Sequence, residues 1–200
     1  MNQAELFTDA PQHQMNAVVT HPIIFLDIDD VLCRCLRYGG HQAIVAMRHN
    51  QVPADDFFEQ LFHPEPKAAL AAIHAAMDGQ VHYVISSTWR LAFKRAELKR
   101  LFVASGLDFV AEAMLDEAHW RTRSFEGLLQ RSDEIASWLA AHGGDRPFVI
   151  LDDTFSGKSL QAVAAIKGHL FAGRVVICEE CVGLTADHVP AAVGALRRPI

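Results

Sequence analysis

Three carboxylates, Asp27, Asp29 and Asp30, stand at the end of an apolar run in the segment IIFLDIDDVLC, residues 23–33. Buried carboxylates lose hydration and like charges this close repel, so folding by itself disfavours them. Two other apolar runs also end in polar groups: VHYVISST in Ser86, Ser87 and Thr88, and FVILDDT in Asp152 and Asp153. Brought to one crevice, these acids and hydroxyls form an all-oxygen donor set that suits a hard cation such as magnesium. An Asp beside such a cation can attack a phosphoryl group, because the cation neutralises the oxygens that would otherwise repel it. A second acid two residues further on can protonate the leaving oxygen. Solvated acids at strand ends, and a Ser that closes a strand through a backbone bond, are the plainer alternative. Recurrence of the pattern at three run ends favours the chemistry.

For these groups to meet, the runs must be parallel strands whose carboxyl ends share one rim, where ligands bind in open α/β sheets. The chain has that pattern. PIIFLDI, VHYVISS, PFVILDD and RVVICEE read as strands, rich in β-branched or aromatic residues, and DFVAEAML is a weaker strand candidate. Between them PADDFFEQLF and PEPKAALAAIHAAMDG read as helices, with Pro66 in a first turn and Gly79 at a C-terminal stop. STWRLAFKRAELKRLFVASG reads as one helix with an apolar stripe of Leu91, Phe93, Leu98, Phe102 and Val103, ending at Gly106. RSDEIASWLAAHGG presents Ile135, Trp138 and Leu139 on one face. The expected fold is α/β, a Rossmann-like parallel sheet with helices on both faces.

The 200 residues, 50% of them hydrophobic, are enough for one core, so a polar tail over 1–20 and a single domain over 21–200 are expected. A formal charge of -6 gives no basic footprint, so any nucleic acid must be held locally. No apolar run approaches a membrane span and the N-terminus lacks signal-peptide character, which points to a cytoplasmic protein. Four cysteines, Cys33, Cys35, Cys178 and Cys181, are too few for a secreted disulfide framework. Their C-x-C and C-x-x-C spacing could hold zinc if both strand ends share a rim, although small buried thiols beside apolar strands need no metal.

The motif D-x-D-x-V at Asp27–Val31, a strand-terminal Ser and a later ILDD resemble the haloacid dehalogenase-like (HAD) phosphohydrolases. FLDIDDVL, SSTWR, RSDEIASWL, VILDD and GLT, in that order, are most similar to the small HAD domain of Swiss Army Knife RNA repair proteins. That resemblance implies Asp27 as nucleophile, Asp29 as general acid/base and backbone-carbonyl metal ligand, and Ser86 as the phosphate-binding hydroxyl. It implies Asp152 as a direct ligand of Mg2+, Asp153 as the holder of a water on the metal, and Arg131 as the basic clamp, with Lys158 its rival. Ser87, Trp89 and Arg90 are expected to contact substrate or shape the rim, packing being the alternative for Trp89. Two departures stand out: Asp30 occupies a position where Gly is commonest, and Arg131 replaces the commoner Lys.

The implied activity is magnesium-dependent hydrolysis of a phosphate monoester through an aspartyl-phosphate. The insert around 33–62 is too short for a full cap, so an open crevice is expected. Such a crevice suits a polynucleotide end or a phosphoprotein, or a partner subunit that covers the site, and oligomers are compatible with it. Nucleotides and small phosphorylated metabolites are alternative substrates, and Arg34, Arg37 and Tyr38 are candidate substrate contacts. A rival class is a binding module that holds phosphate without turnover; a mutase would need a larger cap to exclude water.

Overall fold

The computed structural model describes residues 21–34, 36–123 and 130–200, so the tail expected over 1–20 lies outside the described residues. The strands are β1 (Ile23–Leu26), β2 (His82–Ile85), β3 (Phe148–Asp153) and β4 (Val175–Cys178). They form one parallel sheet in the order β2-β1-β3-β4. Helices α1 (Gly40–His49), α2 (Phe57–Leu61) and α3 (Pro64–Ala76) connect β1 to β2. Helices α4 (Trp89–Ala92), α5 (Arg95–Ala104), α6 (Asp108–Ala113) and α7 (Arg131–Trp138) lie between β2 and β3. Helix α8 (Lys158–Ala164) joins β3 to β4, and α9 (Val189–Arg197) follows.

β1 is apolar at every position because helices cover both faces of the sheet, the condition under which parallel strands lose hydrophobic alternation. Ile24, Leu26, Tyr83, Ile85, Val149 and Leu151 belong to one apolar cluster with side chains of α3, α5 and α9. Ile23, Phe25, Val84, Phe148 and Ile150 belong to a second, with Ile135 and Trp138 of α7 and Leu160 of α8. The expected three-layer α/β architecture is therefore present. The connection reverses direction between β1 and β3, one strand leading outward to β2 and the other to β4, which is where such sheets open a crevice.

Three local expectations are corrected. DFVAEAML is not a strand but helix α6, its Ala and Glu being good helix formers; only Met114, just beyond, bridges to Tyr83. The long helix expected over STWRLAFKRAELKRLFVASG is broken at Phe93 and Lys94, both extended, and the Glu97 carboxylate restarts it by accepting the Lys94 N–H at 2.8 Å. Leu91 and Val103 consequently leave the stripe and are 65% and 49% exposed. No element is assigned from sequence to most of 40–49, where helix α1 forms with Ala43 and Ala46 buried and Ile44 and Met47 packed against the same core. The described part of the insert over 33–62 packs onto the domain: Tyr38, Ala43, Phe57, Leu61 and Phe62 join the cluster on one sheet face. No described helix is long and apolar enough to cross a membrane.

Candidate active site

Register brings the strand-end residues together. Leu26 is level with Ile85 on one side and Leu151 on the other, so Asp27, Ser86 and Asp152 form the next row. The ladder continues through it: Asp27 N–H donates to Leu151 O at 2.9 Å and Ser86 N–H to Leu26 O at 3.0 Å. Side chains alternate along strands, so this row shares the face of Phe25, Val84 and Ile150, the face on which α7 packs. Arg131, the first residue of α7, places Nη2 3.5 Å from Asp27 Oδ1 and Nε 3.6 Å from Asp152 Oδ2. Lys158 is exposed, with Nζ 5.1 Å above the Phe155 ring.

Carboxylate oxygens of Asp27, Asp152 and Asp153 all lie within 4.8 Å of one another, and all three residues are buried. At that separation and an effective dielectric of about 20, two full charges repel by about 3.5 kcal/mol. Burial and then the Asp152 charge push the Asp27 carboxyl well above the ordinary range, against the pull of Arg131. Burial raises Asp152 as well, with Arg131 and a hydrogen bond from Ser156 opposing. Burial also works to raise Asp153, but hydrogen bonds from the Ser156 hydroxyl and the backbone N–H groups of Ser156 and Phe155 outweigh it and hold its pKa low. Ser86 Oγ, Asp152 Oδ2 and Arg131 Nη1 are buried without a hydrogen-bond partner. Orphaned groups of this kind are costly. A dication among the three acids and phosphoryl oxygens against Ser86 and Arg131 would satisfy all of them, so the residues fit the magnesium expected from sequence.

Beyond β1 the chain makes a single turn, with the N–H groups of Val31, Leu32 and Cys33 directed at Ile28 O. Asp30 there has φ 52°, the left-handed conformation that explains why Gly is favoured at this position. Its carboxylate compensates by accepting the Cys181 N–H at 2.9 Å, which clasps the turn after β4. Asp29 is half-buried, outside the acid triad, and its Oδ1 accepts a hydrogen bond from Trp89 Nε1 at 2.9 Å.

Several residues expected at the rim face inward. Arg90 is 3% exposed; it donates to the carbonyls of Ser86, Ser87 and Thr122 and pairs with Glu134 at 2.6 Å. It sits behind the Ser86–Ser87 strand end and fixes it. Ser87 is buried and its Oγ accepts the Trp89 N–H. Arg34 is held by Val182 O, His63 and Glu65, Arg37 by Asp56, and the Tyr38 hydroxyl also reaches Asp56. Cys33 and Cys178 are buried, Cys33 donating to Tyr38 O, while Cys181 is exposed. The acid triad is the candidate metal-binding group among the described residues, and Cys35 lies outside them.

Three positions escaped sequence reasoning. Ser156 Oγ lies 2.5 Å from Asp152 Oδ1 and also reaches Asp153 Oδ2, tying the paired acids to each other. Gly157 admits no side chain, since a Cβ there would lie 2.4 Å from Asp153 O. Glu134 carries the counter-charge to Arg90 from the same helix as Arg131. The spacing of Arg131 and Glu134, three residues apart at a helix start, is the one signal that could have linked them.

A family model described as the HAD domain in Swiss Army Knife RNA repair proteins matches residues 23–189. No curated protein and no solved structure matches the chain.

Proposed function

The chain belongs to the HAD domain family of Swiss Army Knife RNA repair proteins, and on that premise we propose that it is a magnesium-dependent phosphohydrolase that cleaves phosphate monoesters through an aspartyl-phosphate. The observation that carries the proposal is the convergence of buried Asp27, Asp152 and Asp153 on the Arg131 guanidinium beside the unpartnered Ser86 hydroxyl. Magnesium held by Asp27, Asp152 and the Asp29 carbonyl, with Asp153 supporting its water, would supply the charge that lets two anions approach. Asp27 attacks phosphorus while Arg131 and Ser86 bind the equatorial oxygens, and Asp29 gives its proton to the departing oxygen. Asp29 then takes a proton from water, whose oxygen attacks phosphorus and frees Asp27.

Among the described residues the insert packs onto the core and adds no lid over the rim, which supports a bulky substrate; a 3′- or 5′-phosphorylated polynucleotide end is the one proposed. Residues 21–200 would act as one domain, and its thiols suit a reducing cytoplasm. Hydrolysis of p-nitrophenyl phosphate and of phosphorylated oligonucleotides, with magnesium and with Asp27→Asn as control, tests this. Magnesium-dependent release of phosphate that vanishes in the variant is expected. No turnover of either substrate by the unmodified chain would leave a phosphate-binding module instead.

A further inference from the structure

We infer that Trp89 is a positioning residue for proton transfer: its indole N–H holds the Asp29 side chain in one orientation. The inference rests on Asp29 as the general acid/base. Trp89 is 3% exposed, so its ring is not a surface on which substrate can stack. Its Nε1 donates to Asp29 Oδ1 at 2.9 Å. An indole N–H can only donate, so it holds the Asp29 carboxyl by this oxygen throughout the reaction.

The N–H direction is itself fixed. The indole stacks on Phe93 at 5.5 Å between centroids and lies 6.0 Å from Phe62. On its polar edge Gly40, the first residue of α1, comes so near that an added Cβ would lie 3.2 Å from Nε1. Insert, strand end and acid thus meet at one ring. In the first step the P–O bond to Asp27 forms, the P–O bond to the leaving group breaks, and the Asp29 proton moves to the departing oxygen. In the second, water gives its proton back to Asp29 as its oxygen takes phosphorus from Asp27.

Trp89→Phe keeps the ring and deletes the N–H. A misaligned acid harms most where the leaving oxygen needs its proton, so kcat/KM on ethyl phosphate should fall about tenfold or more. On p-nitrophenyl phosphate, whose phenolate departs readily, the loss should stay under about threefold. Equal losses on both substrates, or none, overturn the inference if Asp29→Ala still shows the leaving-group preference. Absence of that preference in Asp29→Ala removes the acid assignment and the inference with it. Should Trp89→Phe not fold, NMR of Asp29→Ala decides: the Trp89 indole N–H resonance should move while those of Trp120 and Trp138 stay, and an unmoved Trp89 resonance overturns the bond.

Discussion

Glu134→Ala tests whether the ion pair behind the site holds it together. The carboxylate lies 2.6 Å from Arg90 Nη2, and the two side chains are 7% and 3% exposed. Arg90 cannot follow its partner into water, because its other donors are committed to Ser86, Ser87 and Thr122 carbonyls. The variant therefore leaves a buried guanidinium without its counter-charge, a change that costs about 3–5 kcal/mol. A chain of this size loses about 2–4 °C of Tm per kcal/mol, so thermal unfolding followed by circular dichroism should show a fall of about 6–20 °C. Glu134→Gln, which keeps an acceptor, should fall by less. The double change Arg90→Met with Glu134→Leu should not recover the loss, since the buried Ser86, Ser87 and Thr122 carbonyls then lose the guanidinium donors. A Tm within about 2 °C of the parent for Glu134→Ala would mean that the pair is worth no more than an exposed one and that the strand end is fixed by other means.

Arg131→Ala should lower kcat about a hundredfold, Arg131→Lys should recover part of the rate, and Lys158→Ala should change little; steady-state kinetics giving the reverse order would move the clamp to Lys158. Asp27 and Asp152 have raised pKa values in the metal-free protein, so the folded state has no penalty from them below the unfolded carboxylate value near about 4 and loses stability as pH rises through their folded values. Asp27→Asn should flatten that fall in urea unfolding without metal, and an unchanged slope would contradict the repulsion described.

The strand-end acids are legible in the sequence because a carboxylate directly after an apolar run is costly to bury unless a cation or a donor meets it, and Arg131 because a family pattern marks its position. What lies hidden depends on direction. Arg90 and Trp89 look like rim residues by their place after β2, yet the turn of α4 sends both inward, and nothing in SSTWR specifies that. Helix α1 is concealed because the residues it buries fully are two alanines, Ile44 and Met47 packing only partly against the core, and the Gly39–Gly40 pair before them reads as a turn. The break at Phe93 follows from a restart by Glu97 that competes with a continuous apolar pattern, and periodicity alone favours the wrong one.

The uniform burial of β1 has an implication for how the strand finds its place. Ile23, Ile24, Phe25 and Leu26 are apolar and covered on both sides, so a slip by one residue would exchange one greasy contact for another with little loss. Hydropathy therefore does not lock this strand. Asp27 does: a slip would swing its carboxylate away from Arg131 and into the layer that now holds Leu26. The charge at the strand end thus acts as an alignment key during folding, and a single-residue insertion within β1 is expected to give a compact, helix-rich protein that has lost its chemistry.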